Sequence, residues 1–190
     1  MNNSLAYKED IWKELINGQT VLVSPRPTWS HISTAANIFY IFRKFLFGRK
    51  YTPIPDGMEV YLDEKNRFIP DMMVVCDPEK IHQNGVYGAP DLVAEVLSPS
   101  TMKRYKGDKK TAYEQAGVRE YWIVSTEEKS IEQYLLIDGR FVLHEVYAVY
   151  PDYLLEKMTD EEKAEIITEF KCSLYDDLLI KLEDVFERVN

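Results

Sequence analysis

Asp91-Leu92-Val93-Ala94-Glu95-Val96-Leu97-Ser98-Pro99-Ser100-Thr101 is the stretch on which the fold turns. Leu92 to Leu97 is an apolar run of strand length with one carboxylate inside it, and Ser98-Pro99-Ser100 cuts it off. A continuous apolar run reads as a strand covered on both faces. Downstream, residues 103–116 are predicted to form a helix that Gly117 ends, and Glu120 to Val124 is another apolar strand. Upstream, Phe68 to Cys76 carries Met72-Met73-Val74-Val75 and reads as a third strand buried on both sides. Strand, strand, helix, strand, with a long helix before them, gives an α/β domain built on a mixed sheet flanked by helices.

The rest of the chain fits around that centre. Thr28 or Ser30 caps a long helix running to about Phe47, with Ile32, Ala35, Ala36, Phe39, Phe42 and Leu46 at helical spacing and Gly48 closing it. Residues 7–17 are expected to be a short helix stopped by Gly18, and Gln19 to Val23 a short strand stopped by Ser24-Pro25-Arg26-Pro27. Residues 50–54 and 57–63 read as strands, and 77–90 as a loop rich in Gly, Asn and Pro. Strands at 130–137 and 140–147 flank Asp138-Gly139, a hairpin signal. Thr159 to Glu165 suits a helix or a loop, and Ser173 to Val189 suits a strand and helix or one amphipathic helix. The whole of 1–190 reads as one domain, with a core at about 19–125 and a hairpin and tail at 126–190.

Composition excludes several classes. Apolar residues at 45% and charged residues at 29% describe a globular chain, not a disordered one. The two cysteines, Cys76 and Cys172, are far apart and fit no zinc spacing. Their use, and the lack of a basic-then-apolar pattern over Met1 to Asp10, point to a reducing, cytoplasmic setting. No apolar run approaches the ~20 residues of a membrane span. The net charge of −9 argues against a nucleic-acid partner until it is located. Residues 1–118 hold 15 Lys+Arg against 14 Asp+Glu, whereas 119–190 hold 8 against 18. Lys103, Arg104, Lys106, Lys109 and Lys110 crowd together, and a local basic patch attracts phosphates even on an acidic protein because distant charge is screened over ~8–10 Å.

Chemistry concentrates on Asp71 and Glu95. A buried strand rarely keeps a carboxylate without a partner, because desolvating an unpaired charge is costly. Two carboxylates from neighbouring strands make a site for a hard divalent cation, and magnesium takes one or two carboxylates plus waters and phosphates. Such an ion can generate hydroxide and stabilise a phosphoryl displacement. Asp91 shares a face with Glu95, but four residues at ~3.3 Å each place it ~13 Å away. It is therefore a strand-entry residue or an outer support. Leu97 stands where a lysine two residues beyond Glu95 would serve a phosphate. The next helix offers Lys106, Lys109, Lys110 and Tyr113 on one broad face as substitutes.

Pro70-Asp71, then Asp91 to Thr101, then Lys109, Tyr113, Gly117-Val118 and Tyr121-Trp122-Ile123-Val124 resemble the Uma-two family, which is restriction-endonuclease-like and falls in the PD-(D/E)xK nuclease superfamily. Ser24-Pro25, Pro27 and His31 match its N-terminal pattern, so the resemblance spans roughly residues 15–150. It implies a core of helix, three strands, helix and strand. It implies metal ligation by Asp71 and Glu95, and it implies that the superfamily's lysine has moved to the following helix as Lys109. The chain departs from the pattern at Tyr105 and Ser125, where relatives carry acids.

The expectation is a magnesium- or manganese-dependent endonuclease acting on DNA, with Asp71, Glu95 and Lys109 catalytic and Asp91, His31 and Tyr113 supporting. His31, near a helix N-terminus, would orient a water or phosphate, or else cap and pack. Tyr113, Tyr121 and Trp122 also read as core aromatics. Two copies pairing through the aromatic hairpin 130–150 would form a homodimer. The rival readings are an inactive nuclease-fold module gripping DNA or a protein partner, with Glu95–Lys109 a purely structural ion pair, and a small-molecule phosphohydrolase with a closed pocket.

Overall fold

The structure, a computed structural model, describes residues 13–22, 27–97 and 105–189, without the side chains of Tyr105 and Lys106. Its first element corrects the expected helix over 7–17: Lys13–Ile16 (β1) is a strand pairing antiparallel with Gln19–Leu22 (β2), and residues before Lys13 lie outside the described part. Asn17 and Gly18 turn between them at φ 52 and 78, the paired left-handed geometry that Asn-Gly favours. Reading Gly18 as a helix stop missed that signal. A methyl group at Gly18 would meet only Lys65 Cγ, at an ordinary 4.0 Å, so the cost of Gly18→Ala is conformational. We expect a loss of about 1–2 kcal/mol, measured by urea unfolding.

Thr28 caps the long helix α1, Trp29–Leu46, through its side chain. Thr52–Pro55 (β3), Val60–Tyr61 (β4), Arg67–Phe68 (β5) and Met72–Val75 (β6) follow. The predicted strand 68–76 is thus split by Ile69-Pro70-Asp71, which lets β5 and β6 enter different sheets. The expected loop 77–90 contains Ile81–His82 (β7) and Gly85–Tyr87 (β8). Leu92–Leu97 (β9) is buried at every position. The predicted helix 103–116 divides into a wide turn, Tyr105–Lys109, distorted at Gly107, and the α-helix Lys110–Ala116 (α2), which the left-handed Gly117 terminates. Glu120–Ser125 (β10), Ser130–Ile137 (β11) and Arg140–Ala148 (β12) come next. Two short helices, Asp152–Leu155 (α3) and Asp160–Ala164 (α4), precede the hairpin Glu169–Lys171 (β13) and Leu179–Lys181 (β14) and a last turn, Leu182–Val185 (α5). A capping box between Thr159 and Glu162 decides helix over loop for 160–164.

The main sheet runs β12-β11-β10-β9-β6-β3, antiparallel throughout except for the parallel pair β9–β10 that α2 connects. The hairpin 130–148 continues this sheet. Side chains of the central strands alternate between two cores. On one face Met72, Val74, Ala94, Val96 and Trp122 meet Phe42 of α1 and the tail residues Phe170 and Ile180. On the other, Met73, Val75, Val93, Leu97 and Tyr121 meet Ala112 and Tyr113 of α2 and Val60, Phe68 and Val86 of a second sheet, ordered β2-β1-β5-β4-β8-β7. Both faces are covered, which explains the unbroken apolar runs.

Glu120, fully buried in the first core, is tolerated because Trp122 Nε1 and Gln133 Nε2 donate to one oxygen at 2.6 Å each, and Ser173 N donates to the other at 2.8 Å. That carboxylate fastens the tail to the sheet.

Candidate active site

β6 and β9 pair with Met72 opposite Ala94. Carried one residue further, this register sets Asp71 opposite Glu95. Directly opposed residues of an antiparallel pair share a face, with Cβ atoms ~4.5–5.5 Å apart. Asp71 and Glu95 therefore emerge side by side, Asp71 at the strand's entry and Glu95 within β9. The Oδ2 of Asp71 accepts from Val96 N at 2.6 Å, which fixes the carboxylate against the neighbouring strand. Its Oδ1 lies 3.4 Å from Nε2 of His31, in the first turn of α1. Burial alone would push the His31 imidazole down. The Asp71 hydrogen bond and charge, with Asp56 and Glu95 behind it, outweigh burial and hold it above its ordinary value.

Glu95 is fully buried. Its Oε1 accepts from Lys109 Nζ at 2.7 Å and from the Tyr113 hydroxyl at 2.9 Å. Lys109 and Tyr113 are four residues apart, so both project from one side of the turn leading into α2 and reach the same carboxylate. The other oxygen, Oε2, is buried and has no hydrogen-bond partner among the described residues. Burial pushes the Glu95 carboxyl up to about 8; the Lys109 ammonium opposes that rise, and Asp71 and Glu14 add to it.

Lys109 lies wholly inside the protein, 2.7 Å from Glu95 and 2.9 Å from Oε1 of Glu14, with Phe68 facing the ammonium at 5.3 Å. Burial works against its charge, but Glu95 and Glu14 outweigh burial and hold its pKa above the ordinary lysine value. Glu14 also accepts from Ile69 N at 3.0 Å, so the β1–β2 hairpin is tied to the site. A helix over 7–17 gives Glu14 no role, whereas β1 turns it inward. The Asn-Gly hairpin signal, with Glu14 two residues from apolar Ile16, would have placed it on an inward strand face.

Of the expected basic patch, the structure moves one member away from the surface. Lys109 faces inward and adds nothing to the surface. Lys110 lies 3.3 Å from the Tyr134 ring centre. Lys103 and Arg104, and the side chain of Lys106, fall outside the described part.

Asp91 belongs to the other end of β9. It accepts from Cys76 N at 2.8 Å and faces Arg119 at 3.5 Å, which matches the strand-entry reading and not the outer-support one. Asp91→Asn should cost about 1–2 kcal/mol of stability and leave cation binding by wild-type and variant protein indistinguishable in calorimetry.

An exposed cleft of about 200 Å³, lined by Pro27, His31, Ile32, Ala36, Phe39 and Asp56 among others, opens beside Asp71. Burial and the nearby Asp71 charge raise the Asp56 carboxyl above its ordinary value. Asp56 carried no signal in the sequence reading.

A mixed sheet with two opposed carboxylates on neighbouring central strands, and an ammonium supplied from the turn that leads into the connecting helix, describes a domain of the restriction-endonuclease-like fold. A crystal structure described as "a putative nuclease belonging to DUF820" from Anabaena variabilis ATCC 29413 has the same fold, with TM-score 0.68 over 92% of this chain and 89% of that one at 17% identity. The chain belongs to the Uma2 family, whose description is "Putative restriction endonuclease" and whose model matches residues 4–162. No curated protein matches it. Family and fold together indicate a restriction-endonuclease-like nuclease. No helix among the described residues is long and apolar enough to cross a membrane.

Proposed function

We propose that the protein hydrolyses phosphodiester bonds of DNA with a divalent cation, magnesium or manganese, held by Asp71 and Glu95. The observation that carries this reading is Glu95 Oε2, a buried carboxylate oxygen without a hydrogen-bond donor among the described residues, beside a second carboxylate. Asp71 and Glu95 set two buried carboxylates side by side, facing Lys109 and, when protonated, His31. Negative charge gathered in a buried place is compensated by a proton, a basic group or a metal ion. Among the described residues no group of three or more His, Cys, Asp or Glu side chains is placed to hold a metal. Magnesium does not need one, since two carboxylates, waters and substrate phosphate complete its shell. The donor set, hard carboxylate oxygens, fits that ion.

When bound, the cation supplies Lewis-acid stabilisation of the phosphate and an activated water. The chain's own residues do the rest. Lys109 and Tyr113 occupy Oε1 of Glu95, so Oε2 is the atom that would hold a cation. Val96 N and His31 fix the angle of Asp71. His31, with its proton affinity raised, takes up or releases a proton at Nε2 where the cleft meets Asp71.

The test is nicking of supercoiled plasmid with manganese, alongside metal calorimetry on wild type and Glu95→Ala. Cleavage, and cation binding that vanishes in the variant, support the reading. Cation binding that persists in Glu95→Ala would remove its basis. A second reading has its own observation: Lys109, enclosed by two carboxylates, is not presented to an incoming phosphate. An inactive module that binds DNA or a protein partner would keep this arrangement as a structural ion pair, and would bind DNA without nicking it under any divalent ion.

A further inference from the structure

One side of α1 is buried against the main sheet and the tail, and the opposite side carries an apolar stripe that no element among the described residues covers. Trp29, Tyr40 and Phe47 are 63%, 64% and 76% exposed, Ile32 is 48% exposed, and Ala36 is exposed between them. At 3.6 residues per turn, positions 29, 36, 40 and 47 fall almost on one line along a helix ~27 Å long. The Trp29 indole is anchored through Nε1 to the Arg188 carbonyl at 3.2 Å, and Arg43 lies over the Phe47 ring at 5.7 Å.

We propose that two copies of this chain pair antiparallel along α1, about a two-fold axis level with Ile38. A two-fold contact must be self-complementary, since residue i meets j while j meets i. This stripe is. Centring on position 38 sets Ala36, the small residue, against the partner's Tyr40, and Trp29 against the partner's Phe47. The flanks agree in charge. The same operation brings the partner's Arg43 and Lys44 to the level of Ile32 and Ser33, Arg43 on the Ile32 side and Lys44 on the Ser33 side. On the Ile32 side lies Asp56, across the cleft that Ile32 and Ala36 help to line. On the Ser33 side lies Glu187, whose carbonyl accepts from Ser33 Oγ at 3.4 Å and from Asn37 Nδ2 at 3.0 Å. Each copy thus offers Asp56 beside one end of α1 and Arg43 near the other, and the antiparallel arrangement matches that pair twice, while Glu187 is already paired with Arg188 at 3.5 Å.

The hairpin expected to make such a contact is worse suited. Strand β12 is an edge strand with exposed Val142, Leu143 and Val146, but the ladder with β11 is irregular between Gln133 and Tyr134, leaving His144 unpaired, and Glu145 Oε1 accepts from Val146 N at 2.9 Å. A bulge and a self-capped N–H are devices that block edge-to-edge association.

The inference does not rest on the nuclease reading. Sedimentation of the full chain at micromolar concentrations should show a dimer. Tyr40→Glu and Ala36→Arg, both at exposed positions, should weaken it by roughly tenfold or more while leaving the melting temperature of the monomer in place. Arg43→Glu should weaken it, and Arg43→Glu combined with Asp56→Arg should restore it. A monomeric wild type, a dimer indifferent to these substitutions, or failure of the charge swap to restore association would each overturn the proposal. So would a monomer that floats with anionic lipid vesicles, which would assign the stripe to a membrane surface. Cation calorimetry on Tyr40→Glu reads the metal site separately, so either proposal can fail without the other.

Discussion

Lys109→Met should destabilise the protein by about 3–5 kcal/mol, the usual cost of removing one partner from a buried ion pair, seen as an early urea midpoint. The side chain is fully buried, and its ammonium sits 2.9 Å from Glu14 and 2.7 Å from Glu95. Methionine nearly matches the lysine stem in volume, so packing against Phe68 survives and the loss isolates charge. Glu14 and Glu95 would then both lose the ammonium that they share. Adding Glu14→Gln should recover a large part of the loss, because one buried negative charge disappears and its amide can still meet Ile69 N through its oxygen. If the single variant is as stable as wild type, the ammonium is not the element holding the two acids together. If the double variant is no better than the single, the cost lies in packing and not in electrostatics. The same Lys109→Met protein should also lose nicking, since Glu95 Oε1 is no longer held by an ammonium and Oε2 is free to turn away. Stability and activity separate in the presence of excess manganese, where a cation at the site restores the charge balance and raises the midpoint while nicking stays absent.

The elements that were legible in the sequence are those whose burial is decided by local pattern. The runs 92–97 and 120–124 are apolar at nearly every position because both faces of the main sheet are covered, and α1 repeats its buried residues every three to four positions. Glu95 was legible for the complementary reason: one acid in such a run demands a partner. What escaped was non-local. Glu14 is an ordinary acid until β1 is folded against β5 and brings it to Lys109, ninety-five residues away in sequence. Glu120 lies at a strand edge, and its need for donors is met by Gln133 and Ser173, which no local spacing connects to it. Within the basic cluster at 103–110, Lys109 escaped as a buried residue because its helical face turns toward Glu95 and Glu14, which no local spacing connects to it. Asp56 sits in an exposed turn after β3, where an acid is unremarkable until the N-terminal half of α1 closes the cleft beside it.

Glu95→Gln tests the metal site with the least disturbance to shape. The amide oxygen can still accept from Lys109 and Tyr113, so the fold should persist, while the anionic oxygen is gone. Nicking in manganese should fall by about 10³-fold or more, of the order seen when one catalytic electrostatic group is lost, and cation binding should disappear from calorimetry. The proton inventory makes the test specific. The wild-type carboxyl is raised to about 8 by burial, so near pH 7 it is largely protonated and a cation must displace that proton to bind. Wild type should therefore release a proton on cation uptake at pH 7, release less at pH 9, and bind more tightly as pH rises through about 8. The sign for the metal-free protein is opposite. A carboxyl raised on folding binds more protons in the native state than in the unfolded one, so its contribution to stability is complete below the unfolded value and is lost as pH rises through the folded value. Metal-free wild type should weaken from pH 7 to pH 9, and Glu95→Gln, which has no proton to lose there, should not. A variant that keeps both the proton release and the weakening would place the titrating group elsewhere, and His31 beside Asp71 would be the residue to replace next.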